Sequence, residues 1–210
     1  MKKQYKRDSP KHSTLYAKHR SGMTVIEMIV WISVFIAAMI AVSSTLLSFY
    51  RTNRYTLEQA QAVTSAQHGM DAMMRTIREA AYSSQGAFPV VSISPQDFVF
   101  YADVDSDPLI EKVHYYVQGT TLYQGIVDAT GDPPAYTSAE AVSTLSEYVH
   151  NIELATSTFQ YYDKNGVKIV NYSKSADVRF VKVWLIVNVN VATLPNQLLV
   201  YSNAAMRNLK

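Results

Sequence analysis

Between Met23 and Phe49 the chain is almost wholly apolar, and the one charged residue in that stretch is Glu27. Val25 to Phe49 alone supplies 25 residues, where a membrane-spanning helix needs about 20. The stretch holds no proline and no glycine, so it is expected to stay helical throughout. Its serines and threonines are tolerable because helix hydroxyls can bond back to backbone carbonyls. A carboxylate is costly in hydrocarbon, by roughly 2.5–3.5 kcal/mol on insertion scales. Glu27 therefore calls for a partner, and no Lys or Arg lies between Met23 and Phe49. The partner must come from another chain, or from an amine created by a cut between Gly22 and Met23.

Residues 1–22 are basic. Lys2, Lys3, Lys6, Arg7, Lys11, Lys18 and Arg20 stand against Asp8 alone, a net charge of +6. The whole chain carries +2, so the part from Met23 onward carries about −4. The basic balance belongs to this leader and implies no nucleic-acid surface on the remainder. The positive-inside rule keeps the leader in the cytoplasm and sends the C-terminal part outward. A secretory signal peptide is cut after its apolar region. Here the small-residue site, Gly22, comes before it, so the helix would survive processing as an anchor.

A basic leader ending in Gly22, then Met23, Thr24-Val25-Ile26, Glu27 and an apolar helix, resembles the start of type IV prepilins. That resemblance implies cleavage after Gly22 by a prepilin peptidase and N-methylation of Met23. It also implies an assembly role for Glu27, which would neutralise the new amine in its own or an adjacent subunit. Met23 departs from the family's usual Phe but stays large and apolar. Many major pilins carry helix breakers in this segment, and this chain does not. Looser likenesses run through the rest of the chain: R-T-I-R-E-A-A from Arg75, F-V-F-Y-A-D-V-D-S-D from Phe98, Y-Y-D-K-N-G from Tyr161 and A-M-R-N from Ala205. They look like minor pilins and minor pseudopilins. The branch they most resemble holds the type II secretion J-type pseudopilin and the W-type pilus-assembly minor pilin.

Past the apolar run the helical period continues. Val63, Ala66, Met70, Met74, Ile77 and Ala81 recur at helical spacing, with polar residues on the other faces. Gly69 is the weak point, costing about 1 kcal/mol relative to Ala. Ser83-Ser84-Gln85-Gly86 reads as a stop with Gly86 as C-cap. A helix from Thr24 to Ser84 would run about 90 Å at 1.5 Å per residue. From Ala87 onward the period switches to two. Strands are expected at Asp97–Tyr101, Ile110–Val117, Thr121–Ile126, Phe159–Tyr162, Val181–Val191 and Gln197–Tyr201. Gln118-Gly119-Thr120 and Asp163-Lys164-Asn165-Gly166 are turn signals. In Val181–Val191 the valines and Leu185 point one way, and Lys182, Trp184, Asn188 and Asn190 the other. Thr130 to Pro134 reads as a loop, followed by a short helix at Ser138–Glu147.

The expected fold is α+β and type IV pilin-like. A long N-terminal transmembrane helix packs its outer half on an antiparallel β-sheet domain. The segments are a leader (1–22, cleaved), a membrane and assembly helix (23–50), its amphipathic continuation (51–85) and an extracytoplasmic β-domain (86–210).

Sites for chemistry are few. The sequence has no cysteine, so disulfides and cysteine metal sites are excluded. Its five histidines lack metal-ligand spacing, and no phosphate loop, dinucleotide fingerprint or nucleophile elbow occurs. Asp103, Asp105 and Asp107 alternate like the opening of a calcium loop. The pattern then wants Gly and Glu where Pro108 and His114 stand. A solvated loop is the plainer reading, and an irregular calcium site with Glu111 the other. Tyr115-Tyr116 and Tyr161-Tyr162 should each place one ring in the core and one outside. No cofactor and no enzymatic activity are expected. The functional expectation is a minor pilin or pseudopilin that primes or caps a filament of a type IV pilus, type II secretion or DNA-uptake machine. Its expected partners are other pilin subunits, prepilin peptidase and membrane lipid. Its expected location is the bacterial inner membrane, single-pass with the N-terminus inside, and then the filament. A membrane-tethered binding module or adhesin is the alternative.

Overall fold

The structure, a computed structural model, describes residues 22–189 and 197–209. The expected leader up to Ser21, and Asn190 and Val191 of the expected long strand, lie outside the described residues. Two compact units divide the chain, Met1–Tyr50 and Arg51–Lys210. Helix α1, Val25–Arg78, has 54 residues and contributes to both.

In the first unit every residue from Gly22 to Tyr50 is exposed. Trp31 and Phe35 are 63% and 65% accessible, and an exposed apolar surface this continuous marks a membrane or protein contact. The helix is long and apolar enough to cross a membrane once. Its hydroxyls are satisfied locally. Ser33 Oγ donates to the Ile29 carbonyl at 2.8 Å, and Thr45 Oγ1 to the Ala41 carbonyl at 2.9 Å.

In the second unit the same helix becomes amphipathic and is buried along one stripe. Ala66, Met70, Met73, Met74 and Ile77 join one core with the strands. Strands β1 (Val90–Ile93), β2 (Asp97–Ala102), β3 (Glu111–Gln118), β4 (Thr121–Val127) and β5 (Ala141–Ser146) form a five-stranded antiparallel sheet in that order. Strands β6 (Phe159–Tyr162), β7 (Phe180–Val187) and β8 (Leu198–Ala205) form a separate three-stranded antiparallel sheet. The core lies between these sheets and the helix stripe. Phe98 stacks on Phe100 with ring centres 4.6 Å apart, and Tyr115 and Tyr161 are buried beside them. Tyr116 and Tyr162 face outward and are half-buried, so each tyrosine pair splits as the strand alternation requires. On β7 the inward residues are Val181, Val183, Leu185 and Val187, all fully buried.

Gly69 is a structural requirement rather than a weak point. A Cβ there would stand 2.9 Å from the Leu145 carbonyl oxygen, so the missing side chain lets β5 lie close to the helix. Gln59 is buried too. Its Nε2 donates to the Val187 carbonyl at 3.2 Å, and its Oε1 accepts from Val189 N at 2.8 Å. The amide thus bonds backbone groups just where β7 ends.

Several expectations are corrected. The helix ends at Arg78, not Ser84. Ala80 forms a bridge with Ala102, and Ala81 N donates to the Tyr101 carbonyl at 2.9 Å. Residues with good helix propensity are drawn into β pairing instead. Ala80 is therefore the fully buried residue where Ala81 was expected, and Ala81 is half-buried. Gly86, with φ of 79°, closes a tight turn in which its N–H donates to the Ser83 carbonyl at 2.8 Å; it is no helix C-cap. The expected short helix at Ser138–Glu147 is replaced by β5. Asn188 points inward with 1% exposure, because β7 stops at Val187 and its alternation ends there. The final strand runs on to Ala205, and β1 was not anticipated.

Candidate functional site

The candidate processing residues stand at the helix start. Gly22, Met23 and Thr24 precede α1 and are exposed. Thr24 caps the helix. Its hydroxyl accepts from Glu27 N at 3.4 Å, and Glu27 Oε2 accepts in return from Thr24 N at 3.0 Å and Thr24 Oγ1 at 3.1 Å. This is a reciprocal capping box, which satisfies two helix-end donors that otherwise lack partners. It also places the carboxylate at the positive end of the helix dipole. Glu27 is thus not stranded: its own first turn supplies two donors. Sequence reasoning passed over Thr24, although Thr-x-x-Glu before an apolar run is the signature of this cap.

The acidic loop follows β2. Each carboxylate accepts a nearby backbone N–H: Asp103 from Ser106 at 2.6 Å, Asp105 from Asp107 at 3.1 Å and Asp107 from Leu109 at 2.7 Å. Glu111 Oε2 accepts from Val104 N at 2.7 Å. Carboxylate oxygens of Asp103, Asp105 and Glu111 lie within 4.8 Å of one another, and Asp107 is not part of that group. Burial raises the pKa of Glu111, opposed by its bond from Val104 and reinforced by Asp105. Three convergent carboxylates are the donor set a hard cation such as calcium prefers. The N–H bonds equally describe a loop that is complete without one.

A third cluster lies on the face of the five-stranded sheet away from the core. His114 Nε2 is 2.7 Å from Asp97 Oδ2, and Nδ1 is 2.9 Å from Glu140 Oε1. A neutral imidazole has one N–H, so donating to both carboxylates requires the imidazolium. The hydrogen bond to Asp97 raises the His114 pKa; burial lowers it, and Glu140 raises it further. Gly125, opposite His114 on β4, makes room for this arrangement, because a Cβ there would overlap the Glu140 carboxylate. Compared with known protein families and with curated proteins, the chain matches none.

Proposed function

We propose that this chain is a minor pilin or pseudopilin: a subunit cut after Gly22 by a prepilin peptidase, assembled through its apolar helix, and used to prime or cap a filament. The observation that carries the reading is the helix start. A fully exposed apolar helix begins three residues after Gly22, and the one carboxylate in it is held back against Thr24. Cleavage would create an ammonium on Met23, the residue bonded directly to the Thr24 nitrogen that Glu27 already reaches. A carboxylate so placed can neutralise that ammonium, or the ammonium of a neighbouring subunit. Breaking such a pair once it is buried would cost on the order of 3–5 kcal/mol. The antiparallel β-body on the outer part of the helix is compatible with a pilin-like fold.

In this reading the partners are other pilin subunits, held largely helix to helix. The site is the inner membrane, N-terminus inside, before passage into the filament. Mass spectrometry of the protein purified from membranes tests it. The expected N-terminal peptide starts at Met23 and carries a methyl group. An intact leader, or a cut beyond Phe49, overturns it.

A further inference from the structure

We propose that the free edge of β8 takes up an extended acidic segment of a partner protein as an added strand. The other sheet edges are each interrupted. β1 carries a register shift between Val90 and Ser92, and the pairing of β5 with β4 shifts between Leu122 and Tyr123. β6 is bridged by Lys168 at Tyr162. β8 has none of these features. It pairs with β7 over eight consecutive residues without a shift, and no strand lies on its other side among the described residues. Its sequence, L-L-V-Y-S-N-A-A, holds no charge, proline or glycine. Proteins normally blunt such an edge with one of those devices, since its unpaired N–H and C=O groups template another strand.

Two adjoining clefts of about 450 and 400 Å³ run between β8 and helix α1, sharing Asp71 and Ser202 in their linings. Met70 and Met74 supply apolar floor. At one end stand Arg75, Arg78 and Arg207, with Asp71 and Glu79. All three arginines are exposed, and among the described residues none is in an ion pair. The three guanidiniums share this end with Asp71, Glu79 and, across Arg78 and Arg207, Asp103, yet none is held by them in an ion pair. Guanidinium forks bind carboxylates two bonds at a time. The fitting occupant is a strand with apolar residues over Met70 and Met74 and a carboxylate beside Arg75 and Arg78. Backbone ladder bonds would give affinity, and the arginines register and specificity.

The test uses the full chain in lipid nanodiscs and two fluorescent decapeptides of alternating valine and threonine. One ends in two aspartates, the other in two lysines. The acidic peptide is expected to bind at least tenfold more tightly and to slow amide hydrogen exchange at Leu199–Ser202. The double variant Arg75→Glu, Arg78→Glu, both exposed positions, is expected to keep its circular dichroism spectrum and to lose that tenfold preference. Equal affinity for the two peptides, no binding up to millimolar concentration, or binding without protection of β8 would each overturn the proposal.

Discussion

Raising pH through neutrality should loosen the second unit at one place, His114. The ring is bonded on both nitrogens, at 2.7 Å to Asp97 and 2.9 Å to Glu140. Its folded-state pKa is raised above 6.5. A histidine whose pKa rises on folding contributes stability that is complete below the unfolded value and is lost as pH climbs through the folded one. The side chains of Asp97 and Glu140 are 41% and 34% exposed, so screening discounts both contacts. Ion pairs of this kind contribute about 0.2–1 kcal/mol each, which puts the combined effect at roughly 0.5–2 kcal/mol. For a domain of this size each kcal/mol moves Tm by about 2–4 °C, so the expected fall is roughly 1–8 °C. Thermal unfolding of the wild type and of His114→Gln should be followed from pH 5.5 to pH 9. The wild-type advantage should be full at the acid end and shrink toward pH 9. Glu111, also raised, titrates from a carboxylate's range and affects both proteins alike. Gly125→Ala offers an internal control. Its methyl group would displace the flexible Glu140 carboxylate and remove the smaller, Glu140 share of the pH-dependent difference, leaving the Asp97 share in place. A gap between wild type and His114→Gln that stays constant across the range would refute the doubly bonded imidazolium.

Gly69→Ala should destabilise the second unit by about 1–3 kcal/mol through overpacking, against a propensity gain of about 1 kcal/mol; a net gain in a denaturant titration would show that β5 yields readily. Gln59→Leu leaves the Val187 carbonyl and the Val189 N–H without their amide partner, at about 1–3 kcal/mol by the same assay; an unchanged midpoint would mean that water replaces it. A fragment beginning at Arg51 should fold and stay soluble, whereas one beginning at Ala87 should not, because it lacks the helix stripe that completes the core; cooperative unfolding of the shorter fragment would show that the stripe serves another surface.

Much of this architecture was legible because periodicity reports burial. Ala66, Met70, Met74 and Ile77 gave the helix stripe, and the valines of β7 the inward face of its sheet. What stayed hidden depended on partners distant in sequence. Gly69 reads as a defect until Leu145, far along the chain, is set against it. Ala141–Ser146 mixes the helix formers Ala141 and Leu145 with the strand-favouring Val142 and Thr144, and its pairing with distant β4 decides for a strand. The helix stops short of Ser84 for the same reason, since Ala80 and Ala81 answer to Ala102 and Tyr101. The split into two sheets could not be read from strands that each alternate alike. At the helix start the reverse holds. The Thr24–Glu27 cap is local and visible, and attention to the charge of Glu27 hid its simpler work as a hydrogen-bond acceptor. In the acidic loop, folding groups Glu111, named from the sequence, with Asp103 and Asp105, and leaves Asp107 outside, which the regular spacing of the three aspartates could not show.

The order of the strands has a kinetic consequence. Every strand pairs with its immediate predecessor, through five strands and again through three. The connections from β1 through β4 are short, so those hairpins can form as soon as the second strand is available, while the β4–β5 and β6–β7 connections are longer. Set against that is one late closure. Gln59 meets Val187 across 128 residues of sequence, so the helix stripe and β7 must find each other after both hairpin series exist. The barrier to folding should lie at that meeting. Substitutions in the hairpins would then alter how fast the chain folds. Those at the helix–β7 seam, which begins to form at the barrier, would alter both how fast the chain folds and how fast it comes apart.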